Sequence, residues 1–415
     1  MKIKTITTII AVFAIPFLGI AQPTWKALDN APSGLGRFDD IFFLNEQLGW
    51  AANGPSGLVF KTTDGGESWE QQLELFSYFR NIEFIDENIG FLGTLDGIFY
   101  RTTDGGENWQ DVSIQPNPEA ICGIDAVGDN TVYACGAWFT PAYFIKSIDA
   151  GVSWEYFDMS DYATALVEVL FIDEQFGYAS GQNNEGGIIL RTEDGGANWE
   201  EIYNSNNPGE YVWKLQLMEN NTYIYGSVQS GFQGKLIKSF DSGATWEAKN
   251  FPDASVQGIG FVSPTHGWMG GHNSGFYETT DGGDTWNNTG LGDNLNRFLI
   301  FNDHFGYASG ETIYKFEESL SVTDFSNKQS DDITITIAPM PIKDKLNISV
   351  EFTHIDNLLV EVYDMNGKLL ESLIRDRVPS AETKHYSFDF NYTAGTYLIN
   401  FQTNNGRRSH TVIKQ

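Results

Sequence analysis

The chain has 415 residues and a formal net charge of −30, from 55 Asp and Glu against 25 Lys and Arg. A surface this acidic repels phosphate backbones and anionic lipid headgroups, so nucleic acids and membrane surfaces are disfavoured as partners. The length leaves room for two or three domains and a large core.

The chain begins with the features of a secretory signal. Two lysines near the start precede an apolar stretch from Ile6 to Ile20, and small residues follow it before Gln22. We therefore predict a signal peptide at residues 1–21 and export through the periplasm. No later stretch has the about 20 apolar residues that a membrane-spanning helix needs, so no transmembrane segment is expected after signal removal.

One short motif then recurs six times. Its first copy runs from Thr62 to Trp69 and reads Ser or Thr, any residue, Asp, any residue, Gly, two free positions and Trp. The Asp and Trp of the six copies are Asp64 and Trp69, Asp104 and Trp109, Asp149 and Trp154, Asp194 and Trp199, Asp241 and Trp246, and Asp281 and Trp286. Successive aspartates lie 40 to 47 residues apart, which is the period of a four-stranded propeller blade.

The residue types of this motif suit a tight turn between strands. The carboxylate and the hydroxyl can hydrogen-bond to turn backbone, glycine supplies positive φ, and tryptophan offers a large apolar plate to bury. Six copies of one carboxylate are unlike an active site, where different groups converge. A calcium loop would need oxygen side chains at alternate positions. We therefore interpret the motif as structural and expect no metal and no cofactor.

The sequence that precedes the motif in each unit indicates seven blades. An apolar strand, a strand that begins with Gly and an aromatic residue, and a further apolar strand precede each motif. A seventh unit, from Phe298 to Phe316, lacks the motif, whereas Thr24 to Leu28 matches the strand that follows each copy. We predict that this N-terminal strand completes the seventh blade and closes the ring. The propeller would then occupy residues 22–319.

The remainder of the chain has a different pattern. Residues 320–332 read as a polar linker, and residues 333–415 contain alternating strands separated by turns such as Asn366-Gly367. This pattern predicts a small immunoglobulin-like β-sandwich. The fold class is therefore all-β, a seven-bladed propeller followed by a sandwich.

The six motifs closely resemble the Asp-box, or BNR, repeat of sialidases, sortilin-type receptors, some xyloglucan-cleaving enzymes and the photosystem II assembly and stability factor family. The even spacing and the phrase from Phe84 to Phe91 are most similar to the last of these. The resemblance implies an Asp-box propeller, and for that family it implies non-enzymatic binding of a protein or peptide.

The C-terminal segment resembles the sorting domain of the type IX secretion system. The similarity rests on Val362 to Lys368, Ala394 to Leu398 and Thr411 to Lys414, with a departure at Met340, where that family usually has Asn between two prolines. It implies type IX secretion machinery as a partner, a Bacteroidetes-type export route and release at the cell surface. An ordinary accessory module is the alternative.

Three arginines are the first candidates for a binding site. Arg80 and Arg297 stand at the entry to an innermost strand, each four residues before a Phe, and Arg37 lies close to the equivalent position in the first unit. Because units seven, one and two are neighbours in a closed ring, we expect the three to share one sector of the central mouth and to bind an anionic group. Pairing with nearby carboxylates is the alternative.

Aromatic residues and one histidine extend this candidate site. Trp138 and His272 fall in loops of the same face, and Tyr211 and Trp213 lie near the entry of unit five. Exposed aromatic residues there could stack on a sugar ring or receive a peptide. They could equally serve blade packing.

Two cysteines lie in a predicted hairpin that turns near Gly128. A register centred there places Cys122 opposite Cys135. In an exported protein this favours a disulfide, although two buried thiols fit the sequence nearly as well.

The sequence favours a secreted binding or assembly propeller, without enzymatic activity, for a protein, peptide or anionic ligand. The alternative is a glycoside hydrolase of the sialidase type or a carbohydrate-binding lectin. An arginine triad would suit a sialidase, but that family has six blades and an Arg-Ile-Pro motif that this chain lacks. Enzymatic activity therefore stays open.

Overall fold

The computed structural model describes residues 23–136, 141–219, 221–318, 333–339, 341–352, 356–364, 368–378, 383–403 and 406–415. All regular elements in these ranges are β-strands, numbered β1 to β35 in chain order. Within the same ranges there is no helix long and apolar enough to cross a membrane. The chain divides into two compact units, residues 1–319 and 320–415.

The first unit is a ring of seven four-stranded antiparallel blades. Blades 1 to 3 are β2(Phe38–Phe43), β3(Gly49–Asn53), β4(Leu58–Thr62) and β5(Glu70–Glu74); β6(Phe79–Phe84), β7(Gly90–Thr94), β8(Phe99–Thr102) and β9(Gln110–Asp111); and β10(Ile121–Val127), β11(Thr131–Gly136), β12(Tyr143–Ser147) and β13(Glu155–Asp158). Blades 4 and 5 are β14(Ala165–Phe171), β15(Gly177–Gln182), β16(Gly187–Thr192) and β17(Glu200–Asn204); and β18(Tyr211–Met218), β19(Tyr223–Gln229), β20(Gly234–Ser239) and β21(Glu247–Phe251). Blade 6 is β22(Val256–Phe261), β23(Gly267–Gly271), β24(Ser274–Thr279) and β25(Asn287–Asn288), and blade 7 is β26(Arg297–Asn302), β27(Phe305–Ser309) and β28(Ile313–Glu318) with β1(Pro23–Ala27).

The N-terminal strand supplies the outer strand of blade 7. β1 pairs antiparallel with β28, and Trp25 stands opposite Phe316. The indole of Trp25 packs against the rings of Phe276 and Phe298 at centroid distances of 5.0 and 5.3 Å. β1 begins the propeller sequence and β28 ends it, so their pairing within blade 7 closes the ring.

Each Asp-box holds its own turn together. In the first copy the Thr62 hydroxyl donates to Asp64 Oδ1 at 2.8 Å and accepts the Gly66 N–H, while Asp64 also accepts the Ser68 N–H at 2.9 Å. The Gly65 N–H donates to the Gln47 carbonyl in the turn between the first two strands of the blade. The boxes and these turns therefore lie on one side of the ring, the box face. The opposite side, the loop face, carries the segments that lead into each innermost strand.

The two cysteines do not face each other as the sequence predicted. Cys135 stands opposite Gly123, because a β-bulge between Ile121 and Gly123 leaves Cys122 outside the register. Both residues are buried reduced thiols. The predicted register is therefore wrong by one residue, and no disulfide joins the pair.

The second unit consists of two antiparallel sheets. One contains β29(Ile333–Ala338), β30(Lys345–Phe352) and β33(Thr383–Asp389), and the other contains β32(Leu369–Val378), β31(Asp356–Tyr363), β34(Gly395–Thr403) and β35(Gly406–Lys414) in that order. Ile348 and Val350 of the first sheet share a buried core with Val360 and Ile399 of the second. The unit is thus a β-sandwich, whereas an immunoglobulin-like topology stays a prediction.

Candidate functional site

A repeated backbone irregularity directs side chains toward the axis of the propeller. Innermost strands β2, β6, β10, β14, β18 and β22 each carry a β-bulge near their first residues. A bulge sets two residues against one on the neighbouring strand and re-aims the extra side chain. The extra residues of these six strands are Asp39, Arg80, Cys122, Val167, Trp213 and Gln257. All but Val167 line a single cavity of about 650 Å³ on the loop face, which we call the loop-face mouth.

Two arginines of this mouth share one carboxylate. Arg37 donates to Asp39 Oδ1 from Nη2 at 2.8 Å and from Nε at 3.1 Å, and Arg80 donates to the same oxygen from Nη1 at 3.0 Å. Asp39 is 1% exposed. Two cations on one anion leave a formal charge of +1 in this group, and the arginines keep donors that Asp39 does not use. Guanidinium groups of this kind bind a second carboxylate readily.

The walls of the mouth place an aromatic ring and a neutral imidazole beside the arginines. The Arg80 guanidinium lies 5.5 Å from the ring centroid of Trp213, within the range of a cation–π contact. His272 hydrogen-bonds to Arg37 through Nε2. Burial, with Arg37 and Arg80, lowers the pKa of His272 to about 4, so the ring is neutral at pH 7 and accepts the hydrogen bond.

Two buried acceptor atoms at the mouth lack a hydrogen-bond partner within the described part of the chain. They are Asp39 Oδ2 and Gln257 Oε1, and Gln257 is 2% exposed. A buried acceptor without a donor is unfavourable by about 1–3 kcal/mol. A ligand that carries a donor beside its anionic group would satisfy this need.

Arg297 does not join this cluster. Its Nη1 donates to Glu168 Oε1 at 2.8 Å, and its Nε lies 3.4 Å from Asp40 Oδ1. Lys214 Nζ reaches the second oxygen of Glu168 at 2.5 Å. Two cations therefore face two carboxylates that are almost fully buried, and burial raises the pKa of Asp40 although Arg297 and Lys214 oppose it.

This buried group borders a second cavity, of about 380 Å³, which includes Ile172, Leu217 and Ile300 from the far ends of innermost strands. We call it the box-face mouth. The prediction that the three arginines share one sector is therefore wrong for Arg297.

The reason is a register difference in blade 7. In blades 1 and 2, Phe43 and Phe84 stand opposite the first Gly of the next strand, but in blade 7 this place belongs to Ile300, opposite Gly306. The three hairpins are equally long, but the Phe of blade 7 is Phe301, one residue after this place, so counting back from Phe301 misplaces Arg297 by one. Arg297 corresponds to Asp40, and Asn296 corresponds to Asp39.

Four of the seven predicted ligand-binding residues line the loop-face mouth, namely Arg37, Arg80, Trp213 and His272. Tyr211 stacks on Trp213 with a centroid distance of 5.6 Å and supports it from behind the lining. Trp138 lies outside the described residues. Sequence reasoning missed Tyr78 and Gln257 as lining residues, although Gln257 occupies the same place before Phe261 that Arg80 occupies before Phe84.

The comparisons with known proteins agree with the two units of the fold. Residues 21–137 match the family model described as Photosynthesis system II assembly factor YCF48, and residues 336–415 match the model of the secretion system C-terminal sorting domain. Both resemblances predicted from the sequence are confirmed. The chain has a YCF48-like propeller and a secretion sorting domain. A comparison with curated proteins gave no match.

Solved structures show the same fold as the YCF48-like propeller. A structure described as YCF48 bound to D1 peptide aligns with a TM-score of 0.55 and 20% identity over 71% of this chain and 96% of its own. YCF48 from Cyanidioschyzon merolae aligns with a TM-score of 0.54 and 21% identity over 71% of this chain and 98% of its own. PorZ of Porphyromonas gingivalis, a surface component of the type IX secretion system, aligns with a TM-score of 0.52 and 13% identity over 94% of this chain and 61% of its own. The sorting domain supports export to the cell surface or secretion.

Proposed function

We propose that this protein is a non-enzymatic binding propeller, exported through the type IX machinery, that holds a protein or peptide ligand by a carboxylate at the loop-face mouth. The observation that carries the proposal is the sharing of Asp39 by Arg37 and Arg80 inside a cavity of about 650 Å³. The group has an unbalanced positive charge in a protein whose formal net charge is −30. The carboxylates of Asp96 and Glu119 also line this cavity, so the attraction for an anion is local to the two guanidinium groups at the axial end and comes from their direct hydrogen bonds.

The similarity to YCF48 supports a peptide as the ligand. A propeller of this fold has been solved with D1 peptide, so the fold is able to present a peptide site. A glycosidase of the sialidase type is less well supported, because Arg297 is engaged with Glu168 and Asp40 and does not complete an arginine triad with Arg37 and Arg80.

The test is a binding and turnover screen of the full-length protein, purified without its predicted leader, against sialosides, plant and algal glycans and acidic peptides. A double variant, Arg37→Ala with Arg80→Ala, is measured alongside. We expect peptide binding without turnover and its loss in the double variant. Arg191→Ala is the matched control, because the ion pairs of Arg191 in the described part of the chain are with the exposed carboxylates of Glu193 and Glu200 on a blade surface. Turnover of a glycan that the double variant loses would contradict the proposal.

A further inference from the structure

The loop-face mouth adjoins a third cavity. That cavity has a volume of about 460 Å³ and shares Tyr78 and Asp96 with the mouth. From this shared border it runs outward between blades 1 and 2. The two cavities therefore form one groove that starts at the propeller axis and ends near the outer loops.

The character of the groove changes along its length. The axial end holds the charged group of Arg37, Arg80 and Asp39, whereas the outer end is apolar and includes Pro55, Leu75, Phe76 and Ile98. Phe76 is fully exposed and Leu95, beside the shared border, is 37% exposed. An aromatic ring left in water next to a preformed cavity gains free energy when an apolar group covers it. We call this end the blade 1–2 shelf.

The axial end also constrains what lies next to the bound anion. Asp39 Oδ2 and Gln257 Oε1 are buried acceptors without a donor in the described residues. The last residue of a polypeptide carries a backbone N–H close to its carboxylate, so it can give the anion to the arginines and the donor to one of these acceptors. A ligand that offered only a carboxylate would leave both acceptors unsatisfied.

We infer that the ligand is an extended polypeptide C-terminus whose carboxylate enters the loop-face mouth and whose preceding residues place an aliphatic or aromatic side chain on the blade 1–2 shelf. This inference rests on the proposed function and adds to it the second subsite. The two subsites share a wall at Tyr78, so a single extended segment reaches both.

The experiment uses nonapeptides of Gly and Ser that end in a free carboxylate, with a single Leu placed one to four residues before the last. Binding to the full-length protein is compared with that of the parent peptide without Leu and with amidated forms. We expect one Leu position to bind about tenfold more tightly than the parent, the gain for covering part of one such side chain. Phe76→Ser should remove this gain, so that the Leu peptide and the parent bind the variant equally.

Phe232→Ser is the matched control. Phe232 is also an exposed aromatic residue on the loop face, 99% exposed, but it does not line the groove, so its replacement should change neither affinity. If no Leu position improves binding, or if the gain survives Phe76→Ser, the inference is overturned, while loss of binding on amidation still upholds the proposed function. If amidated and free peptides bind equally, both the proposed function and the C-terminal carboxylate fail. Binding of a charged oligosaccharide in preference to every peptide would also overturn the inference.

Discussion

The two ends of the central channel both present arginine, yet their charges are balanced differently. At the loop-face mouth Arg37 and Arg80 share the single carboxylate of Asp39. At the box-face mouth Arg297 is held between Asp40 and Glu168, and Lys214 pairs with the latter. Arginine side chains are therefore available to a ligand at the loop-face mouth, whereas at the box-face mouth the arginine is fully engaged in buried ion pairs. What separates them is the number of buried carboxylates within reach, not the number of arginines.

The largest expected effect comes from breaking the buried group at the box-face mouth. Arg297→Met removes the partner of two carboxylates that are about 95% buried, and leaving buried charge uncompensated destabilises a protein by about 3–5 kcal/mol. Urea unfolding at pH 7 measures the change. Arg191→Met, at an exposed ion pair, should cost less than about 1 kcal/mol. If both variants lose the same free energy of unfolding, Arg297 has no special structural role at the box-face mouth.

A carboxyl group near the same mouth predicts a pH dependence. Burial raises the pKa of Asp125 to about 7, although the Phe171 N–H and Arg297 lower it. The native state then keeps a proton that the unfolded chain releases near pH 4, so stability falls as the pH rises from about 4 to 7. Asp125→Asn should remove this fall and be more stable than the natural chain by roughly 4 kcal/mol at pH 8.

Unfolding midpoints at pH 4, 6 and 8 test this prediction. The difference between Asp125→Asn and the natural chain should fall below about 1 kcal/mol at pH 4, where the native carboxyl is protonated and the unfolded one is about half ionised. Asp129→Asn, at an exposed position of the same hairpin, is the control and should show no such trend. A constant difference at all three pH values would contradict the account.

The effect at an Asp-box should be smaller, because its turn lies at the surface. Asp64→Ala removes the acceptor for the Thr62 and Ser68 hydroxyls and for the Ser68 N–H, and we expect a loss of about 1 kcal/mol. Glu67→Ala, an exposed change in the same box, should have almost no effect. Thermal unfolding of both variants measures the difference in stability. An unaltered ligand affinity of Asp64→Ala would show that the Asp-box does not contribute to binding at the loop-face mouth.

The sequence predicted the architecture well because its signal is periodic. Six boxes at nearly equal spacing indicate six complete blades, and a seventh unit lacks the box. The strand that begins at Thr24 indicates how this seventh unit is completed. Four residues of the mouth, among them Arg37 and Trp213, were found because they fall in loops of one face or at the entry to an innermost strand. Such positions follow from the blade pattern and need no knowledge of side-chain contacts.

The rest depended on single-residue offsets that a sequence does not reveal. In blade 7 the Phe stands one residue later than in blades 1 and 2, so Arg297 does not occupy the ring position that Arg80 occupies, and one bulge moves Cys122 out of line with Cys135. Gln257 was missed because an uncharged residue in an inner strand looks like packing. Its value to the site lies in an unsatisfied buried oxygen, which only the folded arrangement creates.

The most direct test of the unbalanced charge at the loop-face mouth is a pair of affinities. A peptide with a free C-terminal carboxylate and its amidated form are titrated into the natural protein and into Arg37→Gln, which keeps Arg80 paired with Asp39. We predict that the natural protein prefers the free acid by about tenfold or more, as expected for a charge-assisted hydrogen bond, and that the variant loses most of this preference. An equal preference in both proteins would contradict the account, since the carboxylate would then bind without the second arginine.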